Sequence, residues 1–250
     1  MKAVIRGFVI CVLFLAMMQA GSAPASAQIP DEFTNLKVLS KDTSKRELIV
    51  IMRAFSGALG VACSYCHPPS EPGSDKVDFA SDELEPKRVA RAMMAMSSEI
   101  NHKLMPSTGR ESPVRVRCVT CHRGVTRPET LDRILLAVVD EGGVNAALAR
   151  YREMREELYG EGSYDFRSGT LTDLAQVLAQ DRGDLVGAVA VMKLNVEMHP
   201  DEAPIHTMLG QLFVMKGDAD AARASFERSL ELDPENTQVR VLLERLPRNP

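Results

Sequence analysis

Every cysteine after Cys11 in this 250-residue chain falls in one of two five-residue motifs. These are Cys63-Ser64-Tyr65-Cys66-His67 and Cys118-Val119-Thr120-Cys121-His122, each of the form C-x-x-C-H. Two cysteines three apart on a short helical turn can form thioethers with the two vinyl groups of one haem. The next residue, His, is then delivered beneath the iron as proximal ligand. One such motif can arise by accident, but two that use every remaining cysteine rarely do. The spacing therefore predicts two covalently bound c-type haems, anchored by Cys63, Cys66, Cys118 and Cys121, with His67 and His122 as proximal iron ligands. Disulfides would not require a His after each pair. A zinc site built from pairs this far apart, each followed by His, fits poorly. A thioredoxin-like redox pair would come once, after a strand, and only Val114-Arg115-Val116 has even a faint strand character.

The first residues read as an address. Lys2 and Arg6 precede an apolar run from Phe8 to Met18, and small residues follow to Ala25-Ser26-Ala27. That order is a secretory signal with an A-x-A cleavage site, and the run is short for a bilayer span, which needs about 20 residues. We expect residues 1–27, with Cys11, to be removed and the protein to be exported to a bacterial periplasm. Retention of the segment as an anchor, which would hold the protein at the inner membrane, is the competing reading. Thirty basic and thirty-four acidic residues give a formal net charge of −4, which argues against a nucleic-acid reader.

Twelve aromatic residues and no tryptophan leave a thin core for residues 28–130, where only Phe33, Phe55, Tyr65 and Phe79 are aromatic. Two porphyrins would supply the missing apolar area. The sixth iron ligand should be Met or His opposite the proximal His, and helix periodicity proposes candidates. Ser44-Lys45-Arg46-Glu47 reads as a capping box, opening a helix through Leu59 that Gly60 stops. Its stripe of Leu48, Met52 and Phe55 includes one Met. Pro86 suits a first helical position, and a helix to about Leu104 carries Val89, Met93, Met96 and Ile100 on one stripe. Core packing is the ordinary role of a Met on such a stripe.

Residues Asn35 to Gly124 resemble half of the tetrahaem cytochrome c subunit of the photosynthetic reaction centre. The matching segments are Asn35-Leu36-Lys37-Val38-Leu39, Glu47-Leu48-Ile49-Val50-Ile51-Met52, Ala90-Arg91-Ala92-Met93-Met94-Ala95-Met96 and Cys118 through Gly124. In that family the unit is a helix with an axial Met, a turn, then C-x-x-C-H. The resemblance implies Met52 as distal ligand of the first haem and Met93 of the second, with Met96 the rival to Met93. It also implies redox protein partners, a membrane electron-transfer complex among them. Here there are two motifs in place of four, and the family's lipid-attachment cysteine is missing. His102 lies too early to match the family's ligating His and reads as a solvated helix-end residue.

Beyond Pro128 the chain turns Ala/Leu-rich. Leu178 and Leu212, Gly183 and Gly217, Asp184 and Asp218, Ala188 and Ala222, Met192 and Phe226, and Pro200 and Pro234 recur 34 apart. This period, with Leu209-Gly210 and a closing Pro, resembles tetratricopeptide repeats, whose stacked helical pairs dock a peptide or protein. In the first copy Gln176 stands where Gly210 stands, unless Leu174-Ala175 is shifted by one residue. Leu131–Tyr159 reads as a degenerate pair ahead of them. His199 and His206 read as surface residues, not metal ligands.

The expected fold is mainly α. A signal peptide (1–27) precedes a dihaem cytochrome c domain of helix-plus-C-x-x-C-H units (28–130) and a tetratricopeptide-like solenoid (131–250). The expected function is an exported dihaem electron carrier, not an enzyme, since Met/His ligation leaves no open iron position. A dihaem peroxidase and a haem-based redox sensor or scaffold are the rivals.

Overall fold

Helix signals in the sequence decide where the elements begin and end. The computed structural model describes residues 29–247; the expected signal peptide, with Cys11, lies outside the described residues. α1 (Lys45–Leu59) starts behind Ser44, has Glu47 in its first turn at the positive end of the helix, and ends at Gly60 with φ 67°. α2 (Glu85–Glu99) carries Pro86 in its first turn and runs into a π turn, Ile100–Leu104, so the chain stays helical to the residue the sequence predicts. The π turn is closed by Met105 N–H donating to the Ile100 carbonyl at 2.7 Å. Val114–Val116 forms no strand, and only an isolated bridge, Pro69 to Val77, occurs among the described residues.

The chain divides into two units, residues 29–45 with 63–95, and residues 46–62 with 96–247. In the smaller unit the loop after the first motif folds on itself: Ser70 N–H donates to the Lys76 carbonyl and Asp78 N–H to the Pro68 carbonyl, both at 2.8 Å. Asp82 then gathers the unit. Its carboxylate accepts from Lys37 Nζ at 2.6 Å, Arg91 at 2.6 Å and Asn35 Nδ2 at 2.9 Å.

The larger unit holds the short α3 (Cys118–His122) and the helical pairs. α4 (Leu131–Leu158) breaks at Gly143, whose φ of 79° and ψ of 174° are non-helical, so it is a pair of helices. α5 (Ser168–Gln176) with α6 (Leu185–Met198), and α7 (Ala203–Lys216) with α8 (Ala219–Leu232), form the two clear repeats, and α9 (Thr237–Arg245) follows. The 34-residue recurrence has a direct cause. Asp184 and Asp218 cap their helices by accepting from Gly187 N–H and Ala221 N–H, each following a glycine of positive φ.

The first helix of the first repeat runs in a different register. Asn195 Nδ2 donates to the Ser168 carbonyl and Thr172 Oγ1, whereas Ser229 meets the Ala203 carbonyl and Thr207 Oγ1. Those first-helix partners are 35 apart, while Asn195 and Ser229 are 34 apart. The extra residue is absorbed by the π turn Val177–Asp181 that ends α5. Ala175, fully buried, therefore corresponds to Gly210, and exposed Gln176 does not. At Gly210 a Cβ would lie 2.5 Å from the Phe226 ring. The corresponding Met192 is unbranched and adaptable.

His199 and His206 are not surface residues. His206 is buried, and its Nε2–H donates to the Pro200 carbonyl at 2.9 Å; half-buried His199 donates Nε2–H to the Phe166 carbonyl at 3.1 Å. Each donates to a carbonyl in an inter-helix turn, outside the helical hydrogen-bond ladders.

Candidate functional site

Both motifs form tight turns. At the first, the Cys63 carbonyl accepts from Cys66 N–H at 3.2 Å and His67 N–H at 3.1 Å, on a 3₁₀ turn spanning Cys63–Tyr65. At the second, the five motif residues are α3 itself, with Thr120 Oγ1 accepting from Arg117 N–H at 3.0 Å to start it. None of the four cysteines is paired in a disulfide. No three Cys, His or acidic side chains converge on a metal position among the described residues.

The imidazoles suit iron ligation. His122 Nδ1 lies 2.9 Å from the Val125 carbonyl, which only accepts, so Nδ1 carries the proton and Nε2 is left for a metal. His67 Nδ1 is buried without a hydrogen-bond partner, and its ring lies 5.1 Å from that of Phe79. Burial, and then the nearby Lys87 ammonium, push the His67 imidazole down to its neutral, ligating form. Burial also raises the Cys66 thiol, against the opposing pull of Lys87. Lys87 donates to the Phe79 carbonyl at 2.9 Å.

Two ties position the second turn. Gly124 N–H donates to the Ala58 carbonyl at 2.9 Å, and any Cβ at Gly60 would collide with the Gly124 carbonyl, so this approach needs glycine. Ser163 Oγ donates to the Arg123 carbonyl at 2.7 Å, holding Arg123 in the left-handed region at φ 46°. Asn101, on the π turn, clamps the approach to Cys118: its Nδ2 donates to the Val116 carbonyl and its Oδ1 accepts from Val116 N–H, both at 2.7 Å. Sequence reasoning missed Asp82, Asn101 and Ser163. A lone Asn, Asp or Ser carries no spacing signal, and each reaches a partner 15 or more residues away: Asp82 to Asn35, Asn101 to Val116 and Ser163 to Arg123.

The candidate distal residues lie on helices, as the sequence predicts. Met52 is half-buried on α1, while Met93 and Met96 are exposed on α2. Residues 46–62, with Met52, cluster with the larger unit, whereas the first motif and Met93 lie in the smaller. Nine of the fourteen large hydrophobic residues exposed among the described residues fall between Val38 and Val119, Tyr65, Val89, Met93, Met96 and Val119 among them. A porphyrin is the kind of flat apolar body such side chains fit. His102 is exposed, its Nδ1 2.8 Å from the Ser98 carbonyl.

Known proteins are similar to parts of this chain. Cytochrome c-554 of Chloroflexus aurantiacus is 33% identical over 105 residues, 42% of this chain and 23% of that protein. The photosynthetic reaction center cytochrome c subunit of Rubrivivax gelatinosus is 30% identical over 119 residues, 39% of this chain and 31% of that protein. The chain thus spans less than a third of the length of either relative. The first TPR domain of human RPAP3 overlays 46% of this chain and 85% of its own at TM-score 0.32 and 16% identity. The repeat assignment rests instead on the chain's own recurrence and helix pairs. The model of the photosynthetic reaction centre cytochrome C subunit matches residues 15–149, more than half of the chain, and the chain belongs to that family.

Proposed function

We propose that this chain is an exported dihaem c-type cytochrome that carries electrons between protein partners. The family supports a cytochrome c electron carrier with covalently bound haem; the finer reading is carried by the two complete C-x-x-C-H turns. Cys63 and Cys66 would hold one haem and Cys118 and Cys121 the other. His67 and His122 would be proximal ligands, and Met52 and Met93 distal ones, with Met96 as the rival to Met93. When bound, each haem supplies a one-electron iron couple.

The protein's own residues do the rest. The Val125 carbonyl fixes the His122 tautomer, and Lys87 with burial keeps His67 neutral. Asn101 and Ser163 hold the backbone on either side of the second turn. The segment 131–247 would dock a protein or peptide, and the partner would be a redox protein or membrane electron-transfer complex, met in the periplasm.

The test is the intact mass and the oxidised and reduced absorption spectra of protein matured with the cytochrome c assembly factors. Two covalent haems and a weak far-red Met–iron band are expected. Met52→Ala and Met93→Ala should each convert one haem to high spin and lower its potential. Unchanged spectra and potentials in both variants would overturn the ligand assignment, and a loss in Met96→Ala alone would move the second ligand there.

A further inference from the structure

The two attachment turns lie in segments of opposite charge. Residues 68–85, after the first motif, contain six acidic residues and only Lys76 as a base. Residues 100–128, around the second, contain six basic residues and only Glu111 as an acid, in a chain whose net charge is −4. The acidic segment is partly spent internally: Asp82 meets Lys37 and Arg91, and Asp78 accepts from Ala80 and Ser81 N–H.

Most of the basic segment is not spent. Lys103 pairs with Glu99 and Arg127 with Glu129, but Arg110, Arg115, Arg117 and Arg123 are exposed and make no ion pair among the described residues. Arg117 and Arg123 directly flank Cys118–His122, and Arg110 and Arg115 lie within eight residues of Cys118. Val114, 61% exposed, and Val119, 43% exposed, are interleaved with them. Exposed guanidiniums without an ion pair, interleaved along the chain with exposed valines, are the residue types of a transient docking surface, where rim charge steers encounter and sets specificity.

We propose that this surface, Arg110, Arg115, Arg117 and Arg123 with Val114 and Val119, docks the acidic face of an electron-transfer protein. The proposal rests on the reading that the second turn holds a haem. Planar guanidinium forks match paired carboxylates. An anionic bilayer is the weaker fit, because residues 131–250 carry twenty-one acidic and thirteen basic side chains and two valines bury little in lipid.

The experiment uses the matured full-length protein, its two haems verified by intact mass, and the variant Arg110→Gln/Arg115→Gln/Arg117→Gln. Two probes are titrated by NMR at low and high salt: an acidic blue-copper protein and a basic monohaem cytochrome c. The acidic probe should perturb amides within residues 110–123, and its affinity should fall about tenfold in the variant at low salt and converge at high salt. The basic probe should show no such loss. In stopped flow, one electron passes from the reduced protein to the probe's Cu(II), leaving Cu(I), and the bimolecular rate should fall by a similar factor. Equal affinity of wild type and variant for the acidic probe would overturn the proposal. So would phosphatidylglycerol vesicles that bind wild type and not the variant while the acidic protein binds neither. A mass lacking haem on Cys118 and Cys121 would instead overturn the haem reading beneath it, whatever the arginines do.

Discussion

Residues 131–247 and residues 29–130 are both helical, yet they treat apolar surface in opposite ways. The first segment hides it in one continuous cluster, from Leu131 and Leu135 through Tyr151, Leu174 and Phe226 to Leu246. The second buries only Leu48, Ala58 and Pro68 and exposes Val89, Met93, Met96 and Val119. Side chains alone leave the second segment with a thin core. A helical repeat carries its core in its sequence, whereas a c-type haem segment borrows part of its core from the cofactor.

The sharpest way to break this comparison is to remove the attachment points. In Cys63→Ser/Cys66→Ser/Cys118→Ser/Cys121→Ser, amides of 29–130 should lose hydrogen-exchange protection while those of 131–247 keep theirs. Equal protection in both segments, with and without the cysteines, would mean that haem is no part of the core.

The converse variant is Phe226→Ala. The ring is fully buried and packs over Gly210, so its loss should cost about 3–5 kcal/mol. Denaturant unfolding followed in the repeats should show that loss, while the visible spectrum at low denaturant stays unchanged. A spectral change on that mutation would show that the two segments do not store their stability separately.

How legible each region was in the sequence follows from the same difference. Repeats announce themselves because one backbone event recurs: the glycine and capping Asp at 183–184 return at 217–218. A one-residue register shift was visible only as a weakened match, since the π turn that absorbs it leaves no composition signal. His199 and His206 were misjudged because a buried imidazole donating to a carbonyl looks, in sequence, like any solvated His. At the C-x-x-C-H turns the pattern is local, so Cys and His spacing, the helix from Lys45 to Leu59 and the stop at Gly60 were readable. The residues that position them were not. Asn101 meets Val116 and Ser163 meets Arg123 through single side chains reaching across 15 and 40 residues.

Asn101 sharpens the comparison at an intermediate scale. Asn101→Ala would leave the Val116 N–H and carbonyl without their clamp, at about 1–2 kcal/mol for the half-buried pair of bonds. The expected result is faster exchange at residues 116–118 and a shift in the potential of one haem, with the other haem and the repeats unmoved. Asn101→Asp, which keeps the acceptor for Val116 N–H but loses the donor, should fall between. A potential unaffected by either change would reduce Asn101 to a surface residue.

The smallest expected effect is a pH dependence confined to the smaller unit. Lys37, Asn35 and Arg91 hold the Asp82 carboxyl well below the usual carboxylate range, whereas in the unfolded chain it titrates near about 3.9. A group with a depressed folded pKa adds stability that is fully present above its unfolded value and is lost as pH falls toward the folded one. Exchange protection of residues 29–45 and 63–95 should therefore weaken from about pH 4 downward in the wild type. In Asp82→Asn the part of that slope due to Asp82 should vanish, at the cost of weaker protection at neutral pH. The pairs are partly exposed, so added salt should narrow the gap between the two proteins. If the acid slope is the same in both, the carboxylate does not gather this unit, and its order then comes from the first haem turn.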